Sequence, residues 1–446
     1  MVEANVKILE DLQTYLNICC EESEIRNRFI AKTSDFSRNR KLPMQKVALM
    51  VLNFLKRSLN VEIKEFFEKA LCEKNVSCSK GAFCLQRLKL NPSFFFLWNQ
   101  ILTGSFYEHY ENEVKRWKGF RLLATDGSMI YLLNNSSLRA YFGAQNNQYG
   151  ERVMARVMQV EDVLNNIIVF GNLFPLSVSE QSVTYQLAAN YPPDSLLLFD
   201  RNFASYALMY LLINQEQSRH FVIRCKTAGS FAEVASFLHS HKTSKVVTLY
   251  ASQASINILS ELGYKVNRET GITIRMVKIK LSNGETEVLL TNLVDERQYS
   301  VEEIKELYGL RWRIETKYFK QKNQMLLEEF SGHSVCSVRQ DYLANVFVSN
   351  LHNLIEKQCN LLLLLMDDKR KYGYRINQSA SLALMKNTIV KLLIRQNETV
   401  LILLALQKAF ERYLEPERKG RSCPRIRKHK RRHGRFQTFT NYKRNL

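Results

Sequence analysis

Glycine and proline are scarce in this 446-residue chain, at 16 and 7 residues, about half or less of the roughly 7% and 5% that are ordinary. That scarcity excludes collagen-like and low-complexity architectures and long disordered linkers. Membrane-length apolar runs are missing too. The longest, Tyr206 to Ile213, holds eight residues, against the roughly 20 that span a bilayer. The nine cysteines are odd in number, scattered and without a CxxC pair, so neither a disulfide framework nor a zinc motif is expected. Cys72, Cys78 and Cys84, evenly spaced with no nearby His, read as small core hydrophobes. No signal peptide is apparent, and the expected compartment is a reducing cytoplasm.

Acidic residues are what the carboxyl-terminal segment lacks. Twelve of the 64 Lys and Arg lie between Arg418 and Leu446 with no Asp or Glu among them, so the preceding residues hold 52 basic against 43 acidic. More than half of the formal charge of +21 therefore sits in the last 29 residues. A cationic arm of that kind neutralises phosphates and releases counterions, which favours nucleic acid as partner; the bland alternative is a solvated tail.

What is present is a chain with 46% apolar residues, enough for sizeable cores and a prior of about three domains. Residues 1 to about 115 read as helical. Arg38, Arg40 and Lys41 precede Pro43, which suits a first helical turn, and Leu52, Leu55 and Leu59 then recur on one helical stripe. A DNA-binding helical module and a plain helical subdomain with a wet basic edge fit this pattern equally.

From Phe120 the signal is that of a mixed sheet. FRLLATDG is an apolar strand ending in Asp126 and Gly127. RVMARVMQVEDVLNNIIVFGNLF is two β-rich runs around Asn165-Asn166, residues that tolerate a tight hairpin. A helix starts at Ser179, a strand SLLLF leads into Asp200, and a helix and the strand HFVIRC follow. This succession of three strands, helix, strand, helix, strand is that of an RNase H-like core. Residues 226 to 288 interrupt it with a predicted hairpin at Asn283-Gly284, whose alternation slips at Met276-Val277, where a bulge would restore the phase. From Ser300, an N-cap with an acidic first turn, the pattern is helical to about Tyr413.

The chemistry concentrates in LYGLRWRIETKYFKQKN. At about 100° per residue, Tyr308, Arg311, Glu315 and Lys322 fall on one stripe roughly 60° wide, with Leu307, Leu310 and Ile314 on other faces. An exposed salt-bridge ladder explains such a stripe by itself. Asp126 and Asp200, however, each end an apolar strand, where reacting groups gather in open α/β sheets. Three converging carboxylates would repel one another unless divalent cations sat between them, and oxygen ligands with open positions select Mg²⁺ or Mn²⁺.

With these residues the sequence resembles the DDE-type transposases of bacterial insertion sequences, in the group marked by Y-x(2)-R-x(3)-E-x(6)-K. Tyr308, Arg311, Glu315 and Lys322 match every spacing, and TDGS at Asp126 and FDRNFAS at Asp200 resemble the two acid blocks. The resemblance runs from about Phe36 to beyond Phe330. It implies an RNase H-like catalytic core with a β-rich insertion and cut-and-paste movement of the protein's own element. Asp126, Asp200 and Glu315 would be catalytic and would hold two Mg²⁺ ions, with Mn²⁺ able to substitute. Arg311, Lys322 and Tyr308 would contact DNA, and Arg38, Arg40 and Lys41 are the candidate DNA contacts of the helical module. The partners implied are double-stranded DNA, as terminal inverted repeats and target, and a second copy of the chain, with no membrane and a bacterial, nucleoid-associated location.

Two departures stand out. Asn202 replaces the Gly usual in the second acid block, and as the next best residue for positive φ it is expected to preserve the turn. The insertion has no Trp for stacking a flipped base, the three being Trp98, Trp117 and Trp312, which leaves Tyr250 or Tyr264 for that role.

The expected organisation is multi-domain α/β: residues 1–115 a helical DNA-binding domain, 116–227 the first part of the core, 228–289 the β-rich insertion, 290–345 the second part with the catalytic helix, 346–417 a helical region and 418–446 the basic tail. The competing readings are an RNase H-like DNA endonuclease without strand transfer and a DNA-binding relic that has lost activity.

Overall fold

The computed structural model describes residues 2–38, 40–53, 56–147, 150–225, 231–281, 284–365 and 372–417. The predicted basic arm from Arg418, the turn residue Asn283 and the stripe residue Leu55 lie outside the described residues.

The amino-terminal part is helical: α1 (Val2–Glu21), α2 (Ser23–Asn27), α3 (Met44–Leu52), α4 (Leu59–Glu65), α5 (Lys80–Arg87) and α6 (Ser93–His109). Pro43 is the N-cap of α3, where its missing N–H costs nothing. The predicted stripe through Leu52 and Leu59 does not lie on one helix, because α3 ends at Asn53 and α4 begins at Leu59. Cys72 is exposed, which corrects its reading as a core hydrophobe, whereas Cys78 and Cys84 are half-buried and pack against the edge of the core. Cys72 turns the chain at φ 61° just after α4 is extended by a π-helical turn, which leaves it on the surface.

The central sheet follows: β1 (Arg121–Tyr131), α7 (Ser136–Phe142), β2 (Ala144–Asn147), β3 (Gly150–Asp162), β4 (Ile167–Phe174), α8 (Glu180–Leu187), β5 (Ser195–Phe199), α9 (Tyr206–Ile213) and β6 (His220–Cys225). The hairpin between β3 and β4 turns at Asn166 with φ 60°, as its residue type suggested. Ser179 caps α8 by accepting from the Ser182 N–H. Unforeseen are α7, capped by Asn135, and the short edge strand β2.

Residues 232–291 add α10 (Ala232–Leu238), β7 (Ser244–Tyr250), α11 (Gln253–Glu261), β8 (Gly271–Lys280) and β9 (Thr286–Thr291). Their strands continue the same sheet, in the order β2-β3-β1-β5-β6-β9-β8-β7 with β4 also on β3. β1, β5 and β6 are parallel and the other pairings antiparallel. The bulge expected at Met276-Val277 is absent: β8 pairs with both neighbours in unbroken register. Both residues are apolar because β8 is covered on both faces, Met276 facing one core and Val277 the other.

The same two-sided burial explains SLLLF. Leu196 and Leu198 join the core beneath α1, α6 and the long helix Val335–Leu365, whereas Leu197 and Phe199 join the core beneath α8 and α9. A parallel strand covered on both faces reads as a continuous apolar run.

After the sheet come α12 (Val301–Gly309), α13 (Trp312–Asn323), α14 (Val335–Leu365), α15 (Gln378–Met385), α16 (Thr388–Ile394) and α17 (Thr399–Phe410). Ser300 and Glu303 form a capping box at the start of α12. The predicted all-helical carboxyl-terminal pattern is interrupted by Gly373–Ile376, which pairs antiparallel with Leu414–Glu417. None of the described helices is long and apolar enough to cross a membrane.

Candidate active site

Asp126 does not end its strand, as expected, but lies within β1, opposite Gln159 of β3. The strand continues because β3 still supplies partners after β5 has stopped. The parallel ladder between β1 and β5 ends at Thr125 and Phe199, so Asp126 and Asp200 occupy the next register level, side by side at the carboxyl end of β5. One strand further, Phe199 pairs with Ile223, which puts Arg224 of β6 at the same level.

The third acid reaches this row on α13. The signature residues do not share one straight helix. Between α12 and α13, Leu310 and Arg311 bond in three-residue steps, Leu310 N–H to the Leu307 carbonyl at 3.1 Å and Arg311 N–H to the Tyr308 carbonyl at 3.0 Å. Tyr308 therefore belongs to α12, while Glu315 and Lys322 belong to α13. A three-residue bond tightens the winding locally, which the 100° arithmetic could not include. The exposed-ladder explanation also fails, because Tyr308 is 5% and Arg311 3% exposed.

Helix α13 is fastened along β1 by polar contacts. The Tyr318 hydroxyl donates to the Asp126 carbonyl at 2.8 Å, and Lys322 Nζ donates to Ser128 Oγ at 2.8 Å and the Met129 carbonyl at 2.7 Å. On its buried side, Lys317 Nζ reaches the Asn166 carbonyl and side-chain oxygen at 3.2 and 3.1 Å. The Gln159 amide donates to Gln321 Oε1 at 2.9 Å. These contacts place Glu315, in the first turn of α13, over the strand that carries Asp126.

Around the acids lie further charged groups. The Arg311 guanidinium donates to Glu315 Oε1 at 2.9 Å, and Arg224 Nη2 stands 2.8 Å from Asp200 Oδ1. The second contact is an ion pair rather than a directed hydrogen bond, since Asp200 Oδ1 is buried without a hydrogen-bond partner. Glu180, capping-turn residue of α8, approaches Gly127 so closely that a Cβ there would lie 2.3 Å from its Oε1. Arg156 Nη1 at 2.9 Å and Asn202 Nδ2 at 2.8 Å hold the Glu180 carboxylate there. Glycine in TDGS thus leaves the room that this carboxylate occupies. Asn202 itself needs no positive φ: it sits in a 3₁₀ turn, Arg201–Phe203, and its side chain rather than its backbone carries the contact, which corrects the expected turn geometry.

Burial pushes the Asp126 carboxyl up to about 7; Arg311 opposes the shift, and Glu315 and Glu180 add to it. Burial likewise raises the Tyr308 hydroxyl and lowers the Lys322 ammonium. Tyr308 Oη, Arg311 Nε and Arg224 Nε are buried and have no hydrogen-bond partner. Among the described residues no three His, Cys, Asp or Glu side chains gather tightly enough to hold a metal ion. The donors of Asp126, Asp200 and Glu315 are all carboxylate oxygens, and with Asp200 Oδ1 unsatisfied they suit a hard divalent cation once the arginines give way.

Asp126, Asp200, Glu315, Tyr308 and Arg311 thus lie in one neighbourhood, with Lys322 beside Ser128 and Met129 further along β1. Arg38, Arg40 and Lys41 are exposed on the segment before α3, and among the described residues none of its contacts reaches the acids. Tyr250, at 59% exposure on β7, is open to solvent, whereas Tyr264 packs edge-on against Tyr210. Trp312 and Phe319, 58% and 61% exposed, flank Glu315 on α13. Sequence reasoning missed Arg224, Glu180, Arg156 and Tyr318; of these, only Arg224, an arginine ending the apolar strand HFVIRC, left a signal in the pattern.

The transposase DDE domain family matches residues 115–351 of this chain. The putative transposase InsZ of Escherichia coli (strain K12) is 27% identical over 110 residues, 24% of this chain and 37% of that protein. The transposase InsG for insertion sequence element IS4, from the same organism, is 25% identical over 214 residues, 47% of this chain and 46% of that protein. The chain therefore spans less than half the length of these curated relatives. Among solved structures, the piggyBac transposase synaptic complex with hairpin DNA aligns over 94% of this chain and 84% of that one, at 11% identity and a TM-score of 0.41. At that score the likeness carries no weight for fold or activity.

Proposed function

The chain belongs to the transposase DDE domain family, and from that premise we propose that it is a DNA transposase acting on its own insertion sequence by cutting and pasting. The observation that carries the reading is the shared register level of Asp126 and Asp200, with Glu315 brought over it by the helix fastened to β1. In this reading residues 116–227 and 290–345 form an RNase H-like core, 228–289 an insertion that widens its sheet, 1–115 a DNA-binding helical domain and 346–417 a helical support.

Asp126, Asp200 and Glu315 are the residues that would hold Mg²⁺, two ions by family resemblance. When bound, the metal supplies an activated water and steadies the leaving 3′ oxygen in an in-line displacement at phosphorus. The protein's own contribution is positional. Lys322 and Tyr318 hold α13 on β1, so that Glu315 meets the two aspartates with little freedom. Arg311 and Arg224 offer guanidinium forks matched to phosphate oxygens, and the buried Tyr308 hydroxyl is a further donor. Cutting exposes a 3′-OH that attacks target DNA in the joining step, with the same residues aligning the second phosphate. Two element ends call for a homodimer, and the basic residues 418–446 add sequence-independent affinity for double-stranded DNA. The site of action is the bacterial nucleoid.

Glu315→Gln tests the assignment. It keeps the size of the side chain and its neutral hydrogen-bonding capacity but removes the charge a cation needs. Mg²⁺-dependent cleavage of a duplex bearing the element end should vanish while binding of that duplex persists. Undiminished cleavage would remove Glu315 from the centre.

A further inference from the structure

Two of the three acids of the candidate centre are each occupied by an arginine. Arg224 bridges two carboxylates, with Nη2 2.8 Å from Asp200 Oδ1 and Nη1 2.6 Å from Glu287 Oε1. Arg311 Nη2 lies 2.9 Å from Glu315 Oε1. A cation approaching Asp200 or Glu315 meets a guanidinium already in place, and at such distances, in a half-buried setting, like charges repel strongly. Yet neither arginine is satisfied. The Nε of both is buried with no partner, and so is the neighbouring Tyr308 hydroxyl. Buried N–H groups left unpaired are unfavourable, so these donors retain free energy to be gained from an acceptor.

We propose that Arg224 and Arg311 form a latch that couples the two ligands of this site: without DNA they neutralise Asp200 and Glu315, and a DNA phosphate draws them off and opens both acids to divalent cations. The proposal rests on the functional reading above. Arg224 is suited to the part because it stands at the register level of Asp200 on the adjacent strand. A change of side-chain torsion then exchanges one oxygen acceptor for another without moving the sheet. Glu287, on β9, is the second arm of the latch: it keeps Arg224 anchored at one end while the other end changes partner. By linkage the effect is reciprocal, so DNA raises metal affinity by the factor by which metal raises DNA affinity. The gain for the protein is a centre that does not load with metal, and so does not cut, until a phosphate is present.

The test is Mn²⁺ binding to the full chain, followed by the loss of the free-ion electron paramagnetic resonance signal, with and without a duplex bearing the element end. The wild-type protein should bind Mn²⁺ weakly alone and roughly 5–150-fold more tightly with DNA, the ordinary range of coupling between sites. Arg224→Met should tighten Mn²⁺ binding to the DNA-free protein and shrink the gain on adding DNA. Arg224→Lys, which keeps the charge but cannot bridge Asp200 and Glu287, should lie between wild type and the Met variant in DNA-free binding and lose most of the gain on adding DNA; a gain as large as the wild type's would overturn the latch. Glu287→Gln should act in the opposite direction, because Arg224 then belongs to Asp200 alone, and DNA-free Mn²⁺ binding should weaken. If all three variants weaken binding, Arg224 is structural and the latch is wrong. If the wild type binds no Mn²⁺ with DNA present, the metal-dependent reading itself fails, an outcome distinct from failure of the latch.

Discussion

Gly127→Ala is expected to destabilise the protein for a reason that lies wholly in Glu180. The Gly127 backbone is ordinary strand with no positive φ, so alanine is conformationally acceptable there. Within a strand it would ordinarily add stability, about 0.5–1 kcal/mol, by restricting the unfolded chain. The new Cβ, however, would fall 2.3 Å from Glu180 Oε1, 2.5 Å from its Cδ and 2.9 Å from its Cγ. Those atoms end a flexible side chain and can swing aside, which makes the clash itself cheap. What is lost by swinging is the pairing with Arg156 at 2.9 Å, partly shielded from solvent, and with Asn202 at 2.8 Å, which is exposed. Hydrogen bonds to charged groups contribute roughly 1.5–3 kcal/mol each. With some re-pairing through water, a net loss of about 1–3 kcal/mol is expected.

The assay is a double-mutant cycle in thermal unfolding. In a Glu180→Ala background the obstacle is gone, so Gly127→Ala should be neutral or slightly stabilising, giving a coupling of about 2 kcal/mol. Equal destabilisation in both backgrounds would refute the reasoning and place the demand for glycine in the backbone.

Three other predictions concern charge. The Asp126 carboxyl, raised to about 7 by burial, stays protonated in the fold over a range where the unfolded chain has already ionised. Its contribution therefore favours the fold at low pH and is lost as pH rises from about 4 to about 7, by up to about 4 kcal/mol; Asp126→Asn should abolish that slope in metal-free thermal unfolding between those values, and a variant with the wild-type slope would contradict it. Lys317, 3% exposed, sits 4.0 Å from Glu161, which is 1% exposed. Lys317→Met strands a buried carboxylate and should lower stability by about 3–5 kcal/mol, with partial recovery in Lys317→Met/Glu161→Gln; absence of recovery would show that lost packing dominates. Removal of residues 418–446 should flatten the salt dependence of DNA binding, each lost phosphate contact taking about 0.9 from the slope, while a slope unchanged in a binding titration would mark the segment as merely solvating.

The burial pattern shows where sequence periodicity informs and where it misleads. SLLLF and HFVIRC were legible as strands because burial on both faces leaves an uninterrupted apolar run. That same two-sided burial in β8 produced the false expectation of a bulge at Met276-Val277. The stripe drew Tyr308, Arg311, Glu315 and Lys322 onto one straight helix, whereas Leu310 and Arg311 wind more tightly than an α-helix and divide them between α12 and α13. Asp126 was selected as a strand end, although β1 runs on to Tyr131; only the neighbouring strand β5 ends there.

By itself, then, the sequence determined most of the element types and singled out the candidate acids, because local patterning and residue chemistry are properties of the chain alone. Tertiary structure decided which groups meet. The level shared by Asp126, Asp200 and Arg224 follows from strand order and register, and no spacing along the chain encodes these. Glu180 lies 53 residues beyond Gly127 and Glu287 lies 63 beyond Arg224, yet each sets what its partner can do. The contacts that hold α13 on β1 and the arginines that hold the acids are through-space electrostatics, and they exist only once the sheet has placed their charges within a few ångströms of one another.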